Sequence, residues 1–295
     1  MLQSVILITK GDTFMAINQN NKDIKITLTK EQFEWLEQLS KESKKSKSRI
    51  IASVLENLKQ ESEAKGKYSS LDSFIRKGVI IEDPNTTHVG KDVEIEAGTV
   101  IRPNTIIEGV CHIGKNNVIG PNSYLENMDI GEGNTIIMSH LVDSYIGDNN
   151  QVGPFARMRG HASVDKNSRV GNFVELKGAH LHEGAKSAHL TYLGDCEIGE
   201  RTNIGCGTIT ANYDGYNKSR TTIGKDVFIG SGSILIAPIT VEDEAFVAAG
   251  AVLTKDVHKD ELAIARAKQE NKAGYSHIIK NRARAKKEAS KNVNH

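Results

Sequence analysis

The chain is short of most features that would assign a function at a glance. Its charge is nearly balanced: 38 Lys+Arg face 37 Asp+Glu, a formal +1. No global electrostatic argument for nucleic acid or membrane follows, although local patches remain open. It has three cysteines, at 111, 196 and 206. They are odd in number, far apart and in no metal-ligand spacing, which fits reduced thiols in a cytoplasm. Long hydrophobic runs are missing as well. The apolar stretch near the N-terminus, "SVILI", is too short for a signal peptide or a membrane span. A cytoplasmic protein without a membrane partner is expected. Met15, in "FMAINQNN", is an alternative start, and residues 1–21 are expected to be flexible.

What the sequence does have is a repeat. Aliphatic residues stand at Val89, Ile95, Ile101, Ile107, Ile113, Ile119 and Leu125, a spacing of six. The ladder slips through "NMDIGEGNTIIMSHLVDS" and resumes at Ile146, Val152, Met158, Val164, Val170 and Leu176. It returns at Ile223, Ile229, Leu235, Val241, Val247 and Leu253. Many rungs are followed by glycine, as in "VGKDV", "IGPNS" and "IGSGS". Neither a helix nor a simple alternating strand has this period. Short strands joined by tight turns do, if each rung points inward at the same place on successive coils. The expected fold is mainly β, a parallel β-helix of hexapeptide repeats over residues 75–275.

The ladder breaks twice, from Lys177 to about Tyr192 and from Ile209 to Thr222. Residues in excess of a coil are expected to leave it as loops, where chemistry usually sits on a rigid scaffold. The first break holds "KSAHLTYLGD". A lone histidine is more often a packing residue than a catalytic one, but His189 sits in the break, and its imidazole suits proton transfer near neutrality.

The ladder resembles the left-handed β-helix of hexapeptide acyltransferases, and the left hand is implied by that resemblance alone. The motifs "GPFARMRGHASV", "GNFVELKGA", "KSAHLTYLGD", "NIGCGTITANYDGYNK" and "VAAGAVLTKDV", in this order and spacing, are similar to the acetyltransferase half of the bifunctional N-acetylglucosamine-1-phosphate uridyltransferase/glucosamine-1-phosphate N-acetyltransferase family. The likeness runs from Ile75 to Tyr275. Gly160 stands where the family usually has proline. No Gly-rich phosphate-cradling loop occurs before residue 75, so uridyltransferase activity is not expected.

The resemblance implies an enzyme that moves an acetyl group from acetyl-CoA to the amine of glucosamine 1-phosphate, with His189 as general base. It implies sugar-phosphate contacts at Arg159, Lys177, Tyr192, Asn203 and Lys218. Asn212 and Tyr213 would lie near the acetyl group, the Cys206 N–H would receive the oxyanion, and Ser231, Ala249 and Arg266 would meet coenzyme A. It implies a homotrimer with active sites between neighbouring copies. No metal is required for acetyl transfer, and no metal-ligand cluster is visible in the sequence. Two other readings stay open: an acetyltransferase for another amino sugar, and a DNA-binding regulator that uses the β-helix as a sensor or assembly platform.

Residues 22–60 have a different style. "DIKITLT" alternates Ile24, Ile26 and Leu28 with polar residues, a half-buried strand. Thr29 and Gln32 form a capping box, with Phe33, Leu36 and Leu39 on one helix face. Ser46 is an N-cap before a helix lined by Ile50, Ile51, Val54, Leu55 and Leu58. This order resembles a ribbon-helix-helix module, which implies an intertwined dimer. Lys25 and Thr27 would face DNA bases, and Ser46, Lys47 and Ser48 would hold a phosphate. Lys44 stands where such modules usually place glycine. DNA binding and plain oligomerisation, toward a hexamer, are equally open. Residues 61–74 are expected to be a linker, and 276–295 a basic, helix-prone tail.

Overall fold

The computed structural model describes residues 8–9, 13–17 and 23–292, in two compact units, 1–133 and 134–295. The first unit opens with a three-stranded antiparallel sheet, β1 (Ile8–Thr9), β2 (Thr13–Ile17) and β3 (Asp23–Thr27). β2 and β3 pair along their whole length, with Phe14 opposite Ile26 and Met15 opposite Lys25. Two of these strands lie in the segment expected to be flexible. They also change the argument for the module, because β3 finds a partner for one edge within its own chain.

Helix α1 (Lys30–Ser43) starts at the capping box expected from sequence: the Gln32 N–H donates to Thr29 Oγ1, and the Thr29 N–H to Gln32 Oε1. It stops where Lys44 enters the left-handed region at φ 53°. Helix α2 (Lys47–Lys67) follows, with Ser46 accepting from the Arg49 N–H. It runs on through "ESEAKGK", part of the expected linker, because that stretch is mostly good helix formers. Among the described side chains of this pair, Leu36 and Ile50 are the buried apolar residues, whereas Trp35, Val54 and Leu55 stay exposed. A short helix, α3 (Leu71–Arg76), then buries Phe74.

From Ile80 onward the first unit is a coil of short parallel strands. Val89 pairs with Ile107 and Ile107 with Leu125, so three hexapeptides make one coil. All seven rungs read from the sequence are buried here. The slip in the ladder is a coil one residue shorter, in which Ile113 pairs with Ile130.

The second unit repeats the plan. Val152 pairs with Val170, Met158 with Leu176, and Leu235 with Leu253. The remaining rungs of the ladder are buried as well. The first sequence break turns out not to be a loop. Lys186–Gly194 is a regular strand in parallel register on Arg169–Lys177. Its inward positions include Ser187 and Thr191, and a search for aliphatic rungs passes over them. The second break is real. After Ile209–Ala211 the chain leaves the coil, crosses back at the Tyr213–Lys218 bridge, and returns at Thr221. Helix α4 (Tyr275–Asn292) covers the basic tail. Among the described residues, no helix is long and apolar enough to cross a membrane.

Candidate active site

Parallel coils stack equivalent residues in columns, so a site on this scaffold is built vertically. One column runs up a corner of the second unit through Phe155, Phe173, Leu190, Gly207, Gly232 and Gly250. All six sit at positive φ, between 39° and 74°. The lower three carry large exposed side chains, with the Phe155 and Phe173 rings stacked at 5.3 Å. The upper three have none. The column therefore changes from an apolar ridge to bare backbone immediately above Leu190, leaving a shelf. The residue before each corner forms a second column: Asn172, His189, Cys206, Ser231 and Ala249. His189 thus stands at the foot of the shelf, with small exposed residues above it.

His189 is exposed, and its Nδ1 lies 3.0 Å from Asn172 Oδ1, one coil below. An amide oxygen only accepts, so Nδ1 carries the hydrogen and donates it. Nε2 is left with its lone pair facing solvent. Among the described residues no acceptor takes the Cys206 N–H on the next coil.

The other end of the same strand is charged. Lys177 Nζ donates to both oxygens of Asp195, at 2.8 and 2.9 Å, and Asn212 Nδ2 donates to Asp195 Oδ2. Arg159 Nε donates to Glu175 Oε1 at 2.7 Å, leaving its terminal nitrogens available. Burial works to raise the Asp195 pKa, but Lys177 and Asn212 outweigh it and hold the carboxyl below its ordinary range. Asp195 in turn holds the Lys177 ammonium above its usual range. Exposed Lys218, brought back by the loop, is pulled down by the neighbouring Lys177 ammonium, and further by Arg159. Three cations, Arg159, Lys177 and Lys218, face two carboxylates, Asp195 and Glu175, and the one positive charge left over suits a phosphate.

The residues expected from sequence thus separate. Arg159, Lys177, Lys218 and Asn212 converge. Tyr192 joins them: its ring lies over Gly194, where a Cβ would come within 2.4 Å of the hydroxyl. His189, Cys206, Ser231 and Ala249 share the shelf column. Tyr213 is exposed and donates to the Gly215 carbonyl within the loop. Asn203 pairs with Lys186 and Phe228 on the strand leading to Cys206, and Arg266 lies beyond the last strand, Leu262–Ala263. The structure adds two polar partners that the sequence reading missed, Asn172 and Asp195. Cys206 is exposed, while Cys111 and Cys196 are buried, and burial pushes the Cys196 thiol up to about 12.

In the N-terminal module, Lys47 is turned to Glu37 at 2.6 Å and lies over the Phe33 ring. Ser46 and Ser48 hydroxyls are 3.0 Å apart. The side chains of Lys25 and Thr27 lie outside the described residues.

Residues 92–127 match the family "Bacterial transferase hexapeptide (six repeats)", and residues 220–255 match "Hexapeptide repeat of succinyl-transferase". Bifunctional protein GlmU of Staphylococcus haemolyticus is 50% identical over 201 residues, 68% of this chain and 45% of that protein. Bifunctional protein GlmU of Brevibacillus brevis is 46% identical over 216 residues, 73% of this chain and 47% of that protein. The chain spans about half the length of the curated relatives it matches. Among solved structures, the UDP-N-acetylglucosamine acyltransferase of Arabidopsis aligns over 58% of this chain and 69% of that one, at 15% identity and a TM-score of 0.37. The C-terminal part of this chain is thus a hexapeptide-repeat β-helix, homologous to bifunctional protein GlmU.

Proposed function

We propose that this protein transfers the acetyl group of acetyl-CoA to the amine of glucosamine 1-phosphate. The observation that carries the reading is the His189–Asn172 pair at the foot of the glycine shelf. Asn172 fixes the tautomer, so Nε2 is the base. As the amine attacks the thioester carbonyl, the C–N bond forms, the amine proton passes to Nε2, and negative charge collects on the carbonyl oxygen. The free Cys206 N–H is the donor for that oxyanion. Collapse breaks the C–S bond, and the coenzyme A thiolate leaves and takes up a proton. Acetyl-CoA lies along the bare corner past Ser231 and Ala249, where the absence of Cβ atoms lets the pantetheine arm approach the backbone. The step needs no metal.

The phosphate is gripped by Arg159, Lys177 and Lys218. His189 and Gly194, the register partner of Lys177, lie five residues apart on successive faces of the coil, on either side of the corner at Leu190. The amine and phosphate-bearing carbons of the sugar are adjacent. This spacing supports a trimer in which one copy supplies the base and its neighbour the phosphate clamp. The test is an assay of free thiol release from acetyl-CoA over a panel of amino sugars. Glucosamine 1-phosphate should be turned over fastest, and a panel with no acceptor above the background hydrolysis rate would end the proposal.

A further inference from the structure

The strand His180–Leu181 and the residue after it present a second chemical cluster. Leu181 is fully buried, so His180 and His182 on either side of it point outward together. Asp165 lies on the coil below, following Val164, which pairs with Leu181. Glu197 lies on the coil above, in register with His180. None of these four residues takes part in the proposed acetyl transfer.

The distances sort the ring nitrogens. His180 Nδ1 and His182 Nε2 both face Glu197 Oε1, at 3.2 and 2.5 Å. Glu197 only accepts, and it takes the N–H of both rings in the tautomer that leaves the other two nitrogens without hydrogen. Arg220 pairs with Glu197 from the other side and keeps it anionic. The remaining ring nitrogens face Asp165: His180 Nε2 at 3.0 Å from Oδ1, and His182 Nδ1 at 3.2 Å from Oδ2. With neutral imidazoles, two lone pairs and a carboxylate then point at one another with no hydrogen between them. A divalent cation seated among them would satisfy both lone pairs and the carboxylate at once, with the two rings 4.0 Å apart between centroids. One ligand atom each from Asp165, His180 and His182 lies within 4.8 Å of the others. Donors bonded at about 2.1 Å to a tetrahedral ion are about 3.4 Å apart, and the two nitrogens already stand 3.0 and 3.2 Å from the Asp165 oxygens.

We propose that Asp165, His180 and His182 form a binding site for a divalent transition-metal ion of the zinc class, with Glu197 orienting both imidazoles. Two imidazoles and one carboxylate favour such ions over magnesium or calcium, which prefer all-oxygen sites. A carboxylate that accepts the second N–H of a metal-bound histidine is a recurrent supporting partner, and here a single carboxylate serves both rings. The ion would clip successive coils together.

The test uses full-length protein without a histidine tag, stripped with a chelator. Cobalt(II) is followed by its visible absorption, and zinc by calorimetry. One ion per chain should bind, magnesium should not compete, and zinc should raise the melting temperature. His182→Gln and Asp165→Ala should each lose cobalt binding by about 100-fold or more, and Glu197→Gln by about 10- to 100-fold. His258→Ala should bind like the parent. Circular dichroism of the metal-free variants separates lost binding from lost folding. The site is refuted if the parent takes up no more cobalt than the His180→Ala/His182→Ala double variant. It is equally refuted if folded Asp165→Ala binds like the parent.

Discussion

The two ends of the Lys186–Gly194 strand are made by one repeat and hold opposite kinds of chemistry. At the His189 end the only polar partner of the ring among the described residues is an uncharged amide, and the coils above are stripped to glycine and small residues. At the Gly194 end, Lys177, Asp195, Asn212 and Lys218 form a charged network, with Arg159 and Glu175 beside it. A base must keep a lone pair unoccupied, so its surroundings are neutral and open. An anion clamp must hold several cations near one another, so it carries its own carboxylate to limit their repulsion. The scaffold separates the two tasks by a few residues along the chain, and in the proposed trimer a neighbouring copy would join them.

The largest expected effect tests the neutral end. His189→Ala should lower kcat by about 10²–10⁴, the usual scale for removing a general base, with little change in KM. Asn172→Ala should share part of that loss, because the ring would no longer be fixed in one tautomer. Steady-state kinetics on both variants decides this, and near-parental turnover in His189→Ala would remove the base from the scheme. The charged end should respond differently. Lys177→Ala leaves Asp195 uncompensated beside the phosphate, so KM for the sugar phosphate should rise by roughly 10- to 100-fold with kcat less affected, the pattern of lost uniform binding. A pure kcat effect would mean that the two ends are not distinct.

Mixing sharpens the comparison further. If base and clamp come from adjacent copies, equal amounts of the inactive His189→Ala and the weakened Lys177→Ala chains, unfolded and refolded together, should regain about a quarter of parental activity at low substrate, from simple combinatorics in a closed trimer. No recovery would place both ends of the site within one chain.

How far the sequence went follows from the same geometry. The rungs were legible because a buried aliphatic every six residues is imposed by the coil itself, and every rung read from it is buried. The strand carrying His189 reads as a loop because its inward positions before Leu193 are Ser187 and Thr191 rather than aliphatic residues. A β-helix accepts small polar residues inside when neighbouring coils supply the packing. Asn172 and Asp195 were missed for another reason. Each stands one coil from its partner, seventeen residues before His189 and eighteen after Lys177. Searching for complementary side chains at that offset would have found both, and His182 with Asp165 as well. In the N-terminal module the caps at Thr29 and Ser46 were local and readable. The pairing of β3 with β2 depends on a partner strand that composition did not reveal.

A smaller effect concerns pH. Lys218 has its pKa lowered chiefly by Lys177, so it loses its proton at a lower pH than an ordinary lysine. Its contribution to phosphate binding is complete when protonated and fades as pH rises toward the usual lysine value of 10.5. KM for the sugar phosphate should therefore climb roughly a few-fold on the alkaline side, and Lys218→Arg, which stays charged, should flatten that rise. An identical profile for parent and variant would assign the alkaline limb to another group.

The smallest expected effect lies outside the site. A chain beginning at Tyr68 keeps the Tyr68 hydroxyl bond to Glu108 at 2.6 Å and the Ser69 N–H bond to the Val89 carbonyl at 2.8 Å. It loses the β1–β3 sheet and both long helices, none of which carries a residue assigned to acetyl transfer. Its kcat and KM should stay within about twofold of the full chain, since surface segments remote from a site are usually near neutral. Its assembly should change more visibly. β3 ends the strand order of its sheet, so its outer edge can pair with the same strand of a second copy. Two-fold pairing of that kind, combined with a trimeric β-helix, closes as a hexamer of two trimers. Light scattering should then read a hexamer for the full chain and a trimer for the shortened one. A full-length trimer would show that the module does not pair, and the likeness to a ribbon-helix-helix dimer would be set aside. A shortened chain with activity reduced tenfold or more would instead place part of the N-terminal module at the site.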